Sequence, residues 1–291
     1  MRRREFVRSL STIGLAAAAT QLGCSTAMRT GDNAVPGRRR LRRVGVQLYS
    51  LRDDARRDLE RTLADIASVG YRDVELLGSM NNFGMPAARL REVLDRNGLR
   101  APSTHVGGNV VDDLDRNLDE ALTLGHQYLV VASLPIQGER TLDDYRRWAD
   151  RLNTAGQVTL RRGIRMAFHN HANDLTPVEG QVPYDLLIER TDPSLVRHQL
   201  DTGNTAMAGR DPIEYLRRYG NRFWLFHIKD VPTMSAKNDT ELGKGVIDFR
   251  RLLASIDDID NKFLYVEQET YPGTPLESVR RDYSYISTLE F

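Results

Sequence analysis

The chain has 291 residues, 40% hydrophobic and 28% charged, a balance that excludes disordered and collagen-like classes. The net charge of +1 hides an asymmetry, because residues 1–43 hold ten Arg against Glu5 and Asp32, a surplus of +8 that leaves −7 for residues 44–291. A mildly acidic body lacks the Lys/Arg surface that phosphate backbones require, so nucleic acid is not expected as a partner.

In chain order, Arg2, Arg3 and Arg4 lead through Phe6 into an apolar stretch, Leu10 to Leu22, too short to span a bilayer comfortably. Arg3-Arg4-Glu5-Phe6-Val7-Arg8 resembles the twin-arginine export signal of bacteria. Residues 1–24 are therefore expected to be a signal segment, and the mature protein to be exported, either periplasmic or membrane-anchored facing the periplasm. Cys24, the single cysteine, follows Leu22-Gly23 where lipoprotein signals place the residue that is lipidated, which makes it a candidate lipid anchor. One cysteine permits no internal disulfide. Residues 25–43, with Pro36, Gly37 and Arg38-Arg39-Arg40, read as a basic linker.

From residue 44 onward, short β-rich runs alternate with helical patterns, the rhythm of βαβ units. The candidate strands are 44–50, 73–78, 100–106, 128–133, 164–171, 196–201, 223–229 and 263–269. Between the first of them, Leu59, Leu63 and Ile66 fall on one helix face, and Leu90, Val93 and Leu94 on the next, with Gly70 and Gly98 marking the ends. Thr141 and Asp144 have the spacing of a cap for a helix around Tyr145 and Trp148. Eight single-wound units with no glycine-rich phosphate turn favour a closed (β/α)8 TIM barrel over 44–291, as one domain, rather than an open doubly wound sheet.

His169, Asp201, His227 and Glu267 each stand at the downstream end of an apolar run, in FHNH, HQLD, LFHIKD and LYVEQE. In a parallel barrel those ends open onto one face, where reacting groups gather. Residues two apart in a strand share a face, which adds His171, Lys229 and Glu269 to the same mouth. Two imidazoles and two carboxylates describe an open divalent metal site: burying them without a compensating ion would cost several kcal/mol each. A donor set without thiolate suits Mn²⁺, Mg²⁺, Co²⁺ or Zn²⁺, and Mn²⁺ is expected.

The runs GVQLYSLRD, HNH, QLDTGN, FHIKD, ELGKGVIDF and YVEQE resemble the sugar phosphate isomerase and epimerase superfamily of xylose-isomerase-like barrels, from about Gly45 to Glu269. The resemblance implies one metal held from strands five to eight, by His169, Asp201, His227 and Glu267, with His169 standing where many members have Glu. That departure counts against a symmetric mechanism in which two metal-bound carboxylates shuttle the proton. It leaves proton abstraction beside a carbonyl through a metal-stabilised enediolate, with Glu267 as the base and His171, or Glu75 projecting into the mouth from the end of the second strand, as the acid. The implied activity is isomerisation, epimerisation or lyase chemistry, such as loss of water, on a sugar or keto-sugar. Members of the superfamily often pair, so a homo-oligomer is also expected.

His105, Lys229, Tyr49 and Asn204 are assigned to substrate binding, with Trp224 a further stacking surface and Lys229 equally suited to an ion pair with Asp201 or Glu269. Glu241-Leu242-Gly243-Lys244-Gly245 reads as a plain loop that could cover the mouth. Two other classes follow from the same residues. A relative of endonuclease IV is disfavoured because that enzyme carries a metal-binding His where Asn204 stands; a non-catalytic sugar-binding barrel at the membrane is the alternative that His169 keeps open.

Overall fold

The structure is a computed structural model in which residues 39–291 are described; the expected signal segment, Cys24 and residues 25–38 lie outside them. Eight parallel strands close into a barrel in chain order, β8 returning to pair with β1. They are β1 Gly45–Gln47, β2 Asp73–Leu77, β3 Arg100–Gly107, β4 Tyr128–Ser133, β5 Arg165–His169, β6 Val196–Asp201, β7 Phe223–Ile228 and β8 Phe263–Val266. Each stands at its expected place. β1, β5 and β8 are shorter than expected; after β1 the Gln47 side chain accepts from the Tyr49 amide at 3.1 Å and turns the chain into a tight 3-10 turn, Leu48–Leu51.

The helices are α1 Arg52–Arg57, α2 Leu59–Val69, α3 Ala87–Arg96, α4 Leu114–Leu124, α5 Leu142–Arg161, α6 Pro183–Arg190, α7 Thr202–Met207, α8 Pro212–Tyr219, α9 Phe249–Ala254 and α10 Pro275–Thr288. Leu63 and Ile66 of α2, and Leu90, Val93 and Leu94 of α3, are buried against the outward-facing side chains of the strands. Full burial of each such side chain contributes about 1.5–3 kcal/mol. The predicted cap of α5 is present in both directions: Thr141 Oγ1 accepts from the Asp144 amide at 3.2 Å, and the Asp144 carboxylate accepts from the Thr141 amide at 3.0 Å. Arg39 pairs through its backbone with Phe291 at 3.1 and 2.9 Å, and its side chain meets Asp260, so the chain entering the barrel is tied to the chain leaving it. Among the described residues, no helix is long and apolar enough to cross a membrane.

The barrel interior is apolar below and polar above. Tyr128, Val130, Ala167, Leu225 and Tyr265 form a small enclosed cluster separate from the main core. Tyr265 enters it only because Gly45 stands beside it on β1, where an added Cβ would fall 2.5 Å from the ring. Over this cluster lie Gln47, Glu75, Ser103 and Gln199, all fully buried. Trp224, expected at the mouth, instead packs against the same lower cluster near the start of β7, its ring flanked by Arg197 and Lys262. It is not placed to stack on a sugar.

Candidate active site at the barrel mouth

His169 and Asp201 are the last residues of their strands, His227 is one residue before the end of β7, and Glu267 follows β8 directly. Asp201 is also the cap of α7: its Oδ1 accepts from the Asn204 amide at 2.7 Å, while Asn204 Nδ2 donates to Oδ2 at 2.9 Å. Asn204, expected on the substrate, thus holds Asp201. Asn170 fixes the same residue from the other side, its Oδ1 accepting from the Asp201 amide at 3.0 Å. Thr202 ties the ends of β6 and β7 together, donating to the Lys229 carbonyl at 2.7 Å and accepting from the Lys229 amide at 3.0 Å.

The four expected ligands fall into two overlapping groups. Asp201, His227 and Glu267 bring ligand atoms within 4.8 Å of one another, and so do His105, His169 and His227, all of them buried. His105 therefore stands nearer the candidate ligands than the sequence suggested; its ring centroid lies 4.8 Å from that of His169 and 5.0 Å from that of His227. The Nδ1 of His169 is buried without a hydrogen-bond partner, and such an orphan calls for an explanation. Oxygen and imidazole donors gathered in one buried layer, with an imidazole nitrogen left unpartnered, fit a divalent ion.

Beneath this layer Glu75 has a place that the sequence did not show. The register sets it opposite Ser103, two residues below the pair Leu77 and His105, so it lies in mid-barrel rather than at the end of β2. Its Oε2 accepts from His227 Nε2 at 2.6 Å and Gln47 Nε2 at 2.8 Å and lies 3.2 Å from His105 Nε2; Ser103 Oγ and Gln199 Nε2 reach its Oε1 at 2.7 and 3.0 Å. Gln199 also meets His105 Nε2 at 2.8 Å. With Nε2 on Glu75, the ring of His227 turns Nδ1 toward Glu267 Oε2 at 2.9 Å and Asp201 Oδ2 at 3.8 Å. A carboxylate behind an imidazole is how ligand histidines are commonly oriented. Gln47 and Gln199 escaped the sequence reading; their signal was the period of two that places them on the face of Tyr49 and Asp201.

Charge in this cluster follows from burial and pairing. Burial alone would depress His227, but the charge of Glu267, the nearby Asp201 carboxylate and hydrogen bonds to Glu267 and Glu75 raise its pKa well above the usual value. His169 moves the other way: burial, then the neighbouring His227, His171 and His105, hold it well below, as a neutral imidazole. Burial would raise Glu267, yet His227 and Lys229 hold it well below the usual carboxylate range. Lys229 joins Glu267 at 2.8 Å, Asp201 at 3.4 Å and Glu269 at 2.7 Å. The expected ion pair is thus a three-carboxylate cluster around one ammonium.

Above the cluster opens a cavity of about 270 Å³, and Tyr49, His105, His169, His171, Asn204, Lys229 and Glu267 all line it. The His171 ring stands edge-on to His169 with centroids 4.8 Å apart. The glycine loop does not line the cavity. Asp230 accepts from the amides of Gly243, Gly245 and Ile247 at 3.0, 2.9 and 3.2 Å, while Glu241 turns toward Ser278 and Arg281 of α10 and pairs with Lys244. The loop is pinned to the barrel flank.

Known proteins share this arrangement of chain. Inosose dehydratase from Geobacillus kaustophilus is 27% identical over 255 residues, 74% of this chain and 81% of the relative. Inosose dehydratase from Mesomycoplasma hyopneumoniae is 25% identical over 269 residues, 79% of this chain and 88% of the relative. A crystal structure of a sugar phosphate isomerase/epimerase from Parabacteroides distasonis superposes with a TM-score of 0.72 at 26% identity, covering 88% of this chain and 96% of that one. The family model of xylose isomerase-like TIM barrels matches residues 63–289. With the closed eight-stranded barrel, its polar upper interior and a match over most of its length, this chain belongs to the xylose isomerase-like TIM barrel family.

Proposed function

We propose that this protein is a metal-assisted enzyme that isomerises a sugar or keto-sugar, or eliminates a group from it, by removing a proton beside a carbonyl. The observation that carries the reading is the convergence of Asp201, His227 and Glu267 on one buried point under a polar cavity, with the ring of His169, whose Nδ1 has no hydrogen-bond partner, centred 4.6 Å from that of His227. The names of the relatives, inosose dehydratase and sugar phosphate isomerase/epimerase, support a sugar-acting enzyme. Asp201, His227, Glu267 and His169 would hold a divalent ion, Mn²⁺ by our preference. When bound, such an ion polarises a substrate carbonyl and so acidifies the adjacent C–H.

The chain's own groups divide the remaining work. Glu267 lines the cavity and is held as a carboxylate by His227 and Lys229, which suits it to accept the proton. His171, partly exposed on the cavity wall, is the group placed to return a proton to the substrate. We assign that role to His171 rather than Glu75, whose oxygens are enclosed beneath His227 and satisfied by Gln47, Ser103 and Gln199. Tyr49, His105 and Lys229 line the space in which sugar hydroxyls would bind.

The test is a panel of keto-sugars incubated in D₂O with the ion-loaded protein. Deuterium should enter carbon beside the carbonyl with wild type and not with Glu267→Gln. Turnover with no exchange at carbon in any substrate would sink the mechanism. We further propose that the protein is exported through its twin-arginine motif; fractionation of cells carrying Arg3→Lys with Arg4→Lys should find it retained in the cytoplasm, and an unchanged distribution refutes export by this route.

A further inference from the structure

The ammonium of Lys229 lies on the same oxygen atoms that form the carboxylate half of the candidate metal site. Its Nζ is 2.8 Å from Glu267 Oε2 and 3.4 Å from Asp201 Oδ2, and its side chain is only 1% exposed. The stem reaches this depth because residue 203 is glycine: a Cβ there would fall 2.4 Å from Lys229 Cγ and 2.6 Å from Cδ. The third partner differs in kind. Glu269 Oε1, 2.7 Å away, belongs to a side chain 41% exposed, against 0% for Asp201 and 6% for Glu267. Its backbone is clamped, since Asp239 accepts from the amides of Glu269 and Thr270 at 2.6 and 2.8 Å. Lys229 thus bridges an inner, enclosed pair of carboxylates and an outer one that faces solution.

We propose that Lys229 is the resident cation of the metal-free site, and that an arriving divalent ion displaces it from Asp201 and Glu267 onto Glu269. Two carboxylates enclosed together, with a third at their rim, repel one another unless a cation stands among them. The chain carries that cation itself, which lets the barrel fold before any ion is acquired. An ammonium and a divalent ion cannot share Asp201 Oδ2 and Glu267 Oε2 without strong repulsion at these separations. Loading therefore requires the amine to move, and Glu269 retains it at the cavity wall. Lys229 then meets substrate as a free donor only in the loaded protein, which makes it a residue that sets both ion affinity and the order of binding. The inference rests on the metal reading proposed above.

The test is calorimetric titration of the metal-free protein with Mn²⁺ and with Zn²⁺, for wild type, Lys229→Met, Glu269→Gln and the double variant, alongside thermal melts without ion. Lys229→Met should bind the ion at least about tenfold more tightly, because it removes a competing positive charge at contact distance. It should melt lower than wild type without ion and recover when the ion is added. Glu269→Gln should bind the ion severalfold more weakly, and that loss should vanish in the Lys229→Met background, because Glu269 acts only through the lysine. Equal or weaker binding by Lys229→Met overturns the proposal, as does a Glu269→Gln loss that persists without the lysine. If Lys229→Met is not recovered folded, Glu269→Gln alone decides, and unchanged or tighter binding overturns the proposal. If no form binds either ion, the metal reading falls and takes this one with it; if wild type binds and only the variant pattern fails, the metal reading stands alone.

Discussion

Glu75→Gln is the perturbation that most directly probes how this site is held. The substitution keeps shape and volume and replaces one carboxylate oxygen with an NH₂ group. The groups on Oε2, His227 Nε2 at 2.6 Å and Gln47 Nε2 at 2.8 Å, need an acceptor, so the amide oxygen must take that position. The NH₂ then faces Ser103 Oγ, which can accept, while Gln199 Nε2, 3.0 Å from both carboxylate oxygens, can donate only to the amide oxygen. The change strips the carboxylate charge from the hydrogen bond to His227, a bond of about 1.5–3 kcal/mol when charged, and crowds the donors of His227, Gln47 and Gln199 onto one amide oxygen. His227 also loses one of the two carboxylates bonded to its ring nitrogens. We expect a loss of roughly 2–4 kcal/mol in the metal-free protein near neutral pH, short of the 3–5 kcal/mol for outright removal of one partner of a buried pair because the shape is kept. A ligand imidazole that loses its carboxylate support should also bind an ion about 10–100-fold more weakly. Urea unfolding read by circular dichroism measures the first quantity, and calorimetric titration with Mn²⁺ or Zn²⁺ the second. Stability within about 0.5 kcal/mol of wild type, the range of an ordinary surface substitution, together with unchanged ion affinity, would refute the argument that Glu75 orients His227.

The remaining predictions concern the fold around the site. Burial raises the Asp282 carboxyl to about 7, against which the hydrogen bond from the Leu242 amide works only partly. The native state therefore keeps a proton that the unfolded chain loses near pH 4, and this group makes stability fall as pH rises from about 4 to about 7, by on the order of 4 kcal/mol in all. Asp282→Asn should remove that decline, so its stability relative to wild type should grow between pH 4.5 and pH 8 in urea melts; a constant difference rejects the assignment. His126 has the opposite sign: burial depresses it to about 4 despite its 2.6 Å contact with the Ala101 carbonyl, so the unfolded chain takes up a proton first. Its contribution is complete above about pH 6.5 and is lost as pH falls through 4, on the order of 3 kcal/mol, and His126→Asn should flatten the acid limb of the stability profile. Gly45→Ala should cost about 1–3 kcal/mol by driving a Cβ into the Tyr265 ring, and a variant as stable as wild type would show that β1 yields there.

All eight strands and three of the helices between them were legible in the chain, because each strand is a short apolar run and each of those helices carries a local stripe or cap, signals that survive without knowledge of the partner. The capping box at Thr141 is of the same local kind. So was the list of polar residues at strand ends, since closure of a parallel barrel puts those ends on one face. What depth each residue has, and what it touches, was decided by the tertiary structure. Glu75 was read as a residue of the mouth, yet pairing with β3 sets it a layer below His105, where it faces the back of His227. Trp224 follows the same rule at the other end, because an irregular register between β6 and β7 leaves it against the lower cluster. The close approach of Lys229 to the carboxylates, and the division of the candidate ligands into two groups that share His227, depend on distances between strands far apart in sequence. Periodicity assigns a residue to a face, but only the register between strands sets its height along the barrel axis, and height determines which groups can meet.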